Sequence, residues 1–117
     1  MLAMLNRAAL RVSPLAPYIE WAKSLDDSGL TPEGAREQTV YLVPEFENEA
    51  EAEKVLKAVY AEVFARELFA WHPDENDWPK RRTYALFRQW FSVELDSMVE
   101  DLCAYPIEDD EDEEGDA

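Results

Sequence analysis

The sequence predicts a small α/β or α+β domain of about three strands, in the order β-α-β-α-α-β, with packed helices and a disordered acidic C-terminal tail. Three observations lead there. Short β-rich apolar runs at Ala8–Val12 and Thr39–Val43 are closed by prolines at 14 and 44. Apolar residues spaced three and four apart mark helices after each run. The chain has 117 residues, 47% of them hydrophobic and 12% aromatic, which suits one packed core. That core belongs to a single domain over residues 1–107, and the tail to 108–117.

The segment Asn6 to Ser13 contains Ala8-Ala9-Leu10-Arg11-Val12 and ends at Ser13-Pro14, a first strand. Pro17 suits the first position of a helix, where its missing N–H costs nothing. Tyr18, Trp21, Ala22 and Leu25 then share one helical face. Asp26-Asp27-Ser28-Gly29 stops this helix, and Leu30 to Glu37 reads as loop.

Thr39-Val40-Tyr41-Leu42-Val43 is β-branched, aromatic and nearly continuous in apolar character, which predicts a central strand covered on both faces. Asn48, with Glu51 three residues on, forms a capping box with asparagine as the cap. The helix it opens carries Ala52, Val55, Leu56, Val59, Tyr60, Val63, Phe64 and Leu68 on one stripe as far as Trp71, and Pro73 ends it. Glu53, Lys54, Lys57, Glu62 and Arg66 form its solvated face.

His72 to Pro79 is a polar loop between aromatics. Asp77 or Trp78 caps a third helix there, with Pro79 in its first turn and Tyr84, Phe87, Trp90 and Phe91 on the buried side. The following stretch fits two patterns. A continuing helix would align Phe87, Phe91, Leu95, Met98 and Leu102 but would draw Glu94 and Asp101 into the apolar arc, where unpaired charge is costly. A strand over Ser92–Met98 points Val93 and Leu95 inward with Glu94 and Asp96 outward, and is preferred. Right-handed crossovers would let the strands run parallel, with the third also able to enter antiparallel.

Charge bounds the partners. With Lys+Arg 11 against Asp+Glu 27 the net charge is -16, which disfavours nucleic-acid phosphates and anionic membranes as direct ligands. Glu108 to Asp116 holds 8 of the 27 acids, a tail that repels itself and has little apolar surface to bury. It reads as an interaction arm, a nucleic-acid mimic or a solubilising extension. Cys103 is the single cysteine, so no intrachain disulfide forms and a reducing cytoplasm is expected. No run approaches the ~18 apolar residues of a membrane span, and Met1–Leu5 lacks the basic leader of a signal peptide.

Chemistry-bearing patterns are sparse. With glycine only at 29, 34 and 115, no glycine-rich loop cradles a phosphate, and no cofactor is expected. Cys103 and His72 alone do not make a zinc site, and Cys103 reads as a small core thiol. Asp74 and Asp77 in the loop, joined by Glu45 or Glu47, could hold a hard divalent cation, or they could simply cap the next helix. Glu94, Asp96, Glu100 and Asp101 are a second carboxylate group, read as a catalytic pair or as an exposed strand edge. Lys80-Arg81-Arg82, with Arg88 beyond, is the one basic cluster and could dock a phosphate or an acidic partner. Phe69, Trp71 and Trp78 flank His72 and either form an exposed anchor patch or complete the core.

These features favour a non-enzymatic adaptor or regulator that binds a basic protein partner through Phe69, Trp71, His72, Trp78 and Lys80–Arg82, assisted by the acidic tail. The alternatives are a small metal-dependent enzyme or ligand-binding domain on the Asp74–Asp77 carboxylates, an acidic nucleic-acid mimic, and a subunit of a larger or homo-oligomeric assembly.

Overall fold

The computed structural model describes residues 3–25 and 37–108. In chain order the elements are β1 (Ala3–Met4), β2 (Ala8–Pro14), α1 (Ala16–Ser24), β3 (Thr39–Val43), α2 (Glu49–Trp71), a 3-10 turn (Glu75–Asp77), α3 (Tyr84–Trp90), β4 (Phe91–Asp96) and β5 (Glu100–Asp101). The principal sheet has the order β3-β2-β4 and is antiparallel throughout. This is a mixed α+β fold, with the predicted order of strands and helices in its main body and no parallel pair among the described strands. Past Asn6 and Arg7 the ribbon continues as β1 paired with β5, joined by a Leu5 N–H to Val99 carbonyl bond of 2.7 Å.

Helices cover one face of the principal sheet. Strand pleating sends alternate residues to opposite sides, so Ala8, Leu10 and Val12 of β2 are buried on that face. The register sets Leu10 between Tyr41 and Leu95, and Val12 between Thr39 and Val93. Against this face α2 lays Leu56, Val63, Phe64 and Leu68, α1 lays Tyr18, Ile19 and Ala22, and α3 lays Phe87. Phe64 anchors the aromatic interior, with ring centroids 5.8 Å from Phe87, 5.7 Å from Trp90 and 5.5 Å from Phe91.

Local signals place the helices. The Asn48 side chain accepts from the Glu51 N–H at 2.9 Å, and the Glu51 carboxylate accepts from the Glu47 N–H at 2.9 Å, so the box reaches one residue further back than predicted. Thr83, rather than Asp77 or Trp78, caps α3, by accepting from Leu86 N–H at 3.1 Å. Asp74 caps the short 3-10 turn instead. Pro17 stands at the second position of α1, one residue later than predicted, because the helix begins at Ala16.

One expectation about the strands needs correction. Thr39–Val43 is an edge strand, not a central one, and its Val40 and Leu42 face solvent. Continuous apolar character cannot separate burial on both faces from an edge that exposes apolar side chains. The middle place goes to β2, which pairs with β3 on one side and β4 on the other. The last strand spans Phe91–Asp96 and alternates as predicted, with Phe91 buried, Val93 and Leu95 packed on the core, and Glu94 and Asp96 outward. The acidic residues 109–117 and the predicted stop and loop at 26–36 lie outside the described residues.

Candidate functional site

On the sheet face away from the helices, the register builds two cross-strand rows: Val40–Arg11–Glu94 and Leu42–Ala9–Asp96. Arg11 ties the β4 side together, at 2.9 Å from Asp96 and 3.3 Å from Glu94. The two acids hold its guanidinium above its ordinary pKa, chiefly through the hydrogen bond to Asp96. Glu94 and Asp96 therefore form an ion-paired strip with Arg11, not an acid–base pair. The β3 side is apolar: Val40 is 59% exposed and Leu42 48%. Among the described residues β3 pairs with β2 alone, so its outer edge offers free backbone N–H and C=O groups.

Next to that edge, a cavity of about 390 Å³ lies between the start of β3 and the last turns of α2. Tyr18, Thr39, Val40, Glu67 and Trp71 line it, with Glu37 nearby in the lining. Glu67 is the buried charged residue of the described core, at 6% exposure. The Tyr41 hydroxyl donates to its Oε2 at 2.5 Å, and the Tyr18 hydroxyl donates to its backbone carbonyl at 2.7 Å. Burial pushes both phenols above the usual tyrosine range, with Glu67 adding to each shift. Both stay protonated near neutral pH and act as donors, not bases.

The His72 loop has a structural role. Trp78 is 7% exposed, and its indole donates to the His72 carbonyl at 2.8 Å. Trp71 is half-buried and donates to Ala22 O at 3.0 Å, while Trp21 donates to Asp77 O at 2.9 Å. The Trp21 indole thus ties α1 to the loop, that of Trp71 ties α2 to α1 and that of Trp78 closes the loop on its own start, and the expected exposed patch does not form. Only Phe69 of the trio projects into solvent. A buried indole requires an acceptor for its N–H, and loop carbonyls supply it.

His72, Asp74 and Asp77 bring possible ligand atoms within 4.8 Å of one another. Ordinary hydrogen bonds account for this grouping: His72 Nε2 lies 2.8 Å from Asp77 Oδ2, and Asp74 accepts from Asn76 N–H at 3.0 Å. Glu45 and Glu47 cannot join them. They precede α2 while the loop follows it, and the 23 residues of that helix separate its ends by about 34 Å at ~1.5 Å per residue.

Lys80, Arg81 and Arg82 are exposed in the segment before α3. Arg82 donates to Pro79 O at 2.8 Å and sits over the Trp78 ring, and Arg88 donates to the Tyr84 hydroxyl at 2.8 Å. Cys103 is exposed and not a core thiol, because the chain beyond β5 leaves the core, with Leu102, Tyr105 and Ile107 also in solvent. Among the described residues no helix is long and apolar enough to cross a membrane.

No family model, curated protein or solved structure matches this chain. The site rests on its own geometry.

Sequence reasoning passed over Glu67 and the edge position of β3. The signal for Glu67 was present. Residue 67 falls three and four positions after Phe64 and Val63, inside the apolar stripe, where a glutamate is out of place. The edge position of β3 has no comparable local signal.

Proposed function

We propose that this chain is a protein-binding module whose docking surface is the outer edge and open face of β3. The observation that carries the reading is the pair Val40 and Leu42, two exposed apolar side chains two residues apart on one face of a strand whose outer side has no partner strand among the described residues. Edge strands of soluble domains are commonly blunted by lysine, proline or a covering element. Thr39–Val43 has no lysine or proline within it and pairs on one side among the described residues. An added partner strand would satisfy the free backbone groups, and Val40 and Leu42 would supply apolar contact.

The chain's charge of -16 favours a basic partner and speeds encounter with it at low salt. The acidic residues from Glu108 onward act in this reading as a steering arm, not as the contact itself. His72, Trp71 and Trp78 brace the fold beneath the surface, and Lys80–Arg82 lie apart from β3 in sequence.

The test compares wild-type chain with Val40→Lys/Leu42→Lys as bait at low and moderate salt, with Phe69→Lys as a control for exposed apolar surface elsewhere. The expected result is a partner lost at least tenfold in the β3 variant and retained by the control. Equal retention by the β3 variant, with an unchanged melting curve, refutes the docking surface.

A further inference from the structure

The cavity beside Glu67 has a chemistry of its own. A carboxylate presents about four acceptor positions, and the Tyr41 hydroxyl fills one of them. The Tyr18 hydroxyl goes to the backbone carbonyl of Glu67, not to its side chain. Arg66, the adjacent cation in sequence, is engaged with Glu62 at 2.8 Å. Among the described residues, Glu67 therefore keeps acceptor capacity in the lining of a cavity that it shares with Trp71 and Tyr18. Burying a carboxylate with so few donors is costly, and an apolar residue would pack there more cheaply.

We propose that this cavity receives the guanidinium group of an arginine side chain from the protein partner, with Glu67 as its carboxylate acceptor and the Trp71 and Tyr18 rings as its walls. The source of the arginine rests on the protein-binding reading given above; the chemistry of the cavity does not. A guanidinium is planar, pairs with a carboxylate through two parallel N–H donors and stacks on aromatic rings, which an ammonium does less well. Aromatic walls favour an organic cation over a hydrated metal ion. The volume of about 390 Å³ is at the small end for ligand pockets and suits a side-chain terminus. Thr39 and Val40 both line the cavity and begin β3, so a strand added at the β3 edge would end beside its mouth.

The experiment titrates isotope-labelled full-length chain with N-acetyl-arginine-N-methylamide. It follows the Trp71 indole N–H and the amides of Gln38, Thr39, Val40 and Ala70. Saturable shifts confined to these groups are expected, with a Kd on the order of 1 mM for so small a probe. Glu67→Gln is expected to weaken binding at least tenfold, and the uncharged citrulline analogue to give no saturable shift. Ala70 also lines the cavity, and Ala70→Phe, which fills part of it and leaves Glu67 in place, is expected to abolish binding even if Glu67→Gln folds poorly. No saturable shift in wild type, or unchanged affinity in Glu67→Gln and Ala70→Phe, overturns the proposal. Agmatine titrated in parallel separates a partner's arginine from a free guanidine, and tenfold tighter binding of agmatine overturns the partner source. A failed titration is distinct from a failed docking surface, since Leu42→Lys alone disturbs the β3 face at a residue outside the cavity lining.

Discussion

Replacing Tyr41 with phenylalanine removes one oxygen and leaves the ring packed against the core. Its hydroxyl is the donor to Glu67 Oε2 among the described residues, at 2.5 Å, within the range of charge-assisted O–H···O⁻ bonds. Glu67 is 6% exposed, so water can scarcely replace the lost donor. Hydrogen bonds to charged groups contribute about 1.5–3 kcal/mol, and a stranded buried acceptor costs a similar amount. Because Tyr41 itself is half-buried, Tyr41→Phe is expected to destabilise the fold by about 2 kcal/mol. With a urea m-value of about 2 kcal/mol/M, that moves the midpoint down by roughly 1 M at unchanged m. Glu67→Met removes the acceptor and fills similar volume with apolar atoms. The double variant Tyr41→Phe/Glu67→Met is then expected to be less destabilised than the sum of the singles, by about 1 kcal/mol or more. Urea midpoints for the four proteins complete the cycle. If Tyr41→Phe is neutral within about 0.5 kcal/mol, or if the singles add, Glu67 has another donor and the account of the buried carboxylate is wrong.

Asn48→Ala is expected to cost about 1 kcal/mol by removing the acceptor for the Glu51 N–H at the start of α2, whereas Asn48→Asp keeps most of it; thermal melts of both check this. The alkaline limb of stability should follow Tyr18 and Tyr41, whose phenols burial holds above their ordinary value of about 10. A raised folded pKa means that the unfolded chain loses its protons first, so the stabilisation is complete below about pH 10 and is lost as pH climbs towards the folded values. Urea midpoints measured from pH 8 upward are expected to fall beyond pH 10 in wild type, and less steeply in Tyr18→Phe and Tyr41→Phe.

Much of the fold was legible because it rests on local physics. The stripe from Ala52 to Trp71 sets one long helix by its 3.6-residue period, and Asn48 and Pro73 bound it through their own backbone chemistry. The Phe91–Asp96 alternation carried its facing as well as its type, since a helix there would have drawn Glu94 into the apolar arc. The aromatics illustrate where such reasoning stops. Trp71 and Trp78 read as patch or as core, because an indole N–H needs an acceptor that comes from elsewhere in the chain. Here the acceptors are the carbonyls of Ala22 and His72.

By itself, then, the sequence determined the order and type of the main elements, the helix caps at Asn48, the inward set of the last strand and the strongly acidic charge. Those properties depend on neighbours a few residues away, where period, capping and charge repulsion act. Tertiary structure alone decided that β2 stands between β3 and β4, that Val40 and Leu42 stay in solvent, that Glu45 and Glu47 sit a helix length away from Asp74, and that Glu67 meets Tyr41 across 26 positions. Strand order and cross-chain contact arise from the competition among all apolar faces for one core, and no short window of residues contains that competition.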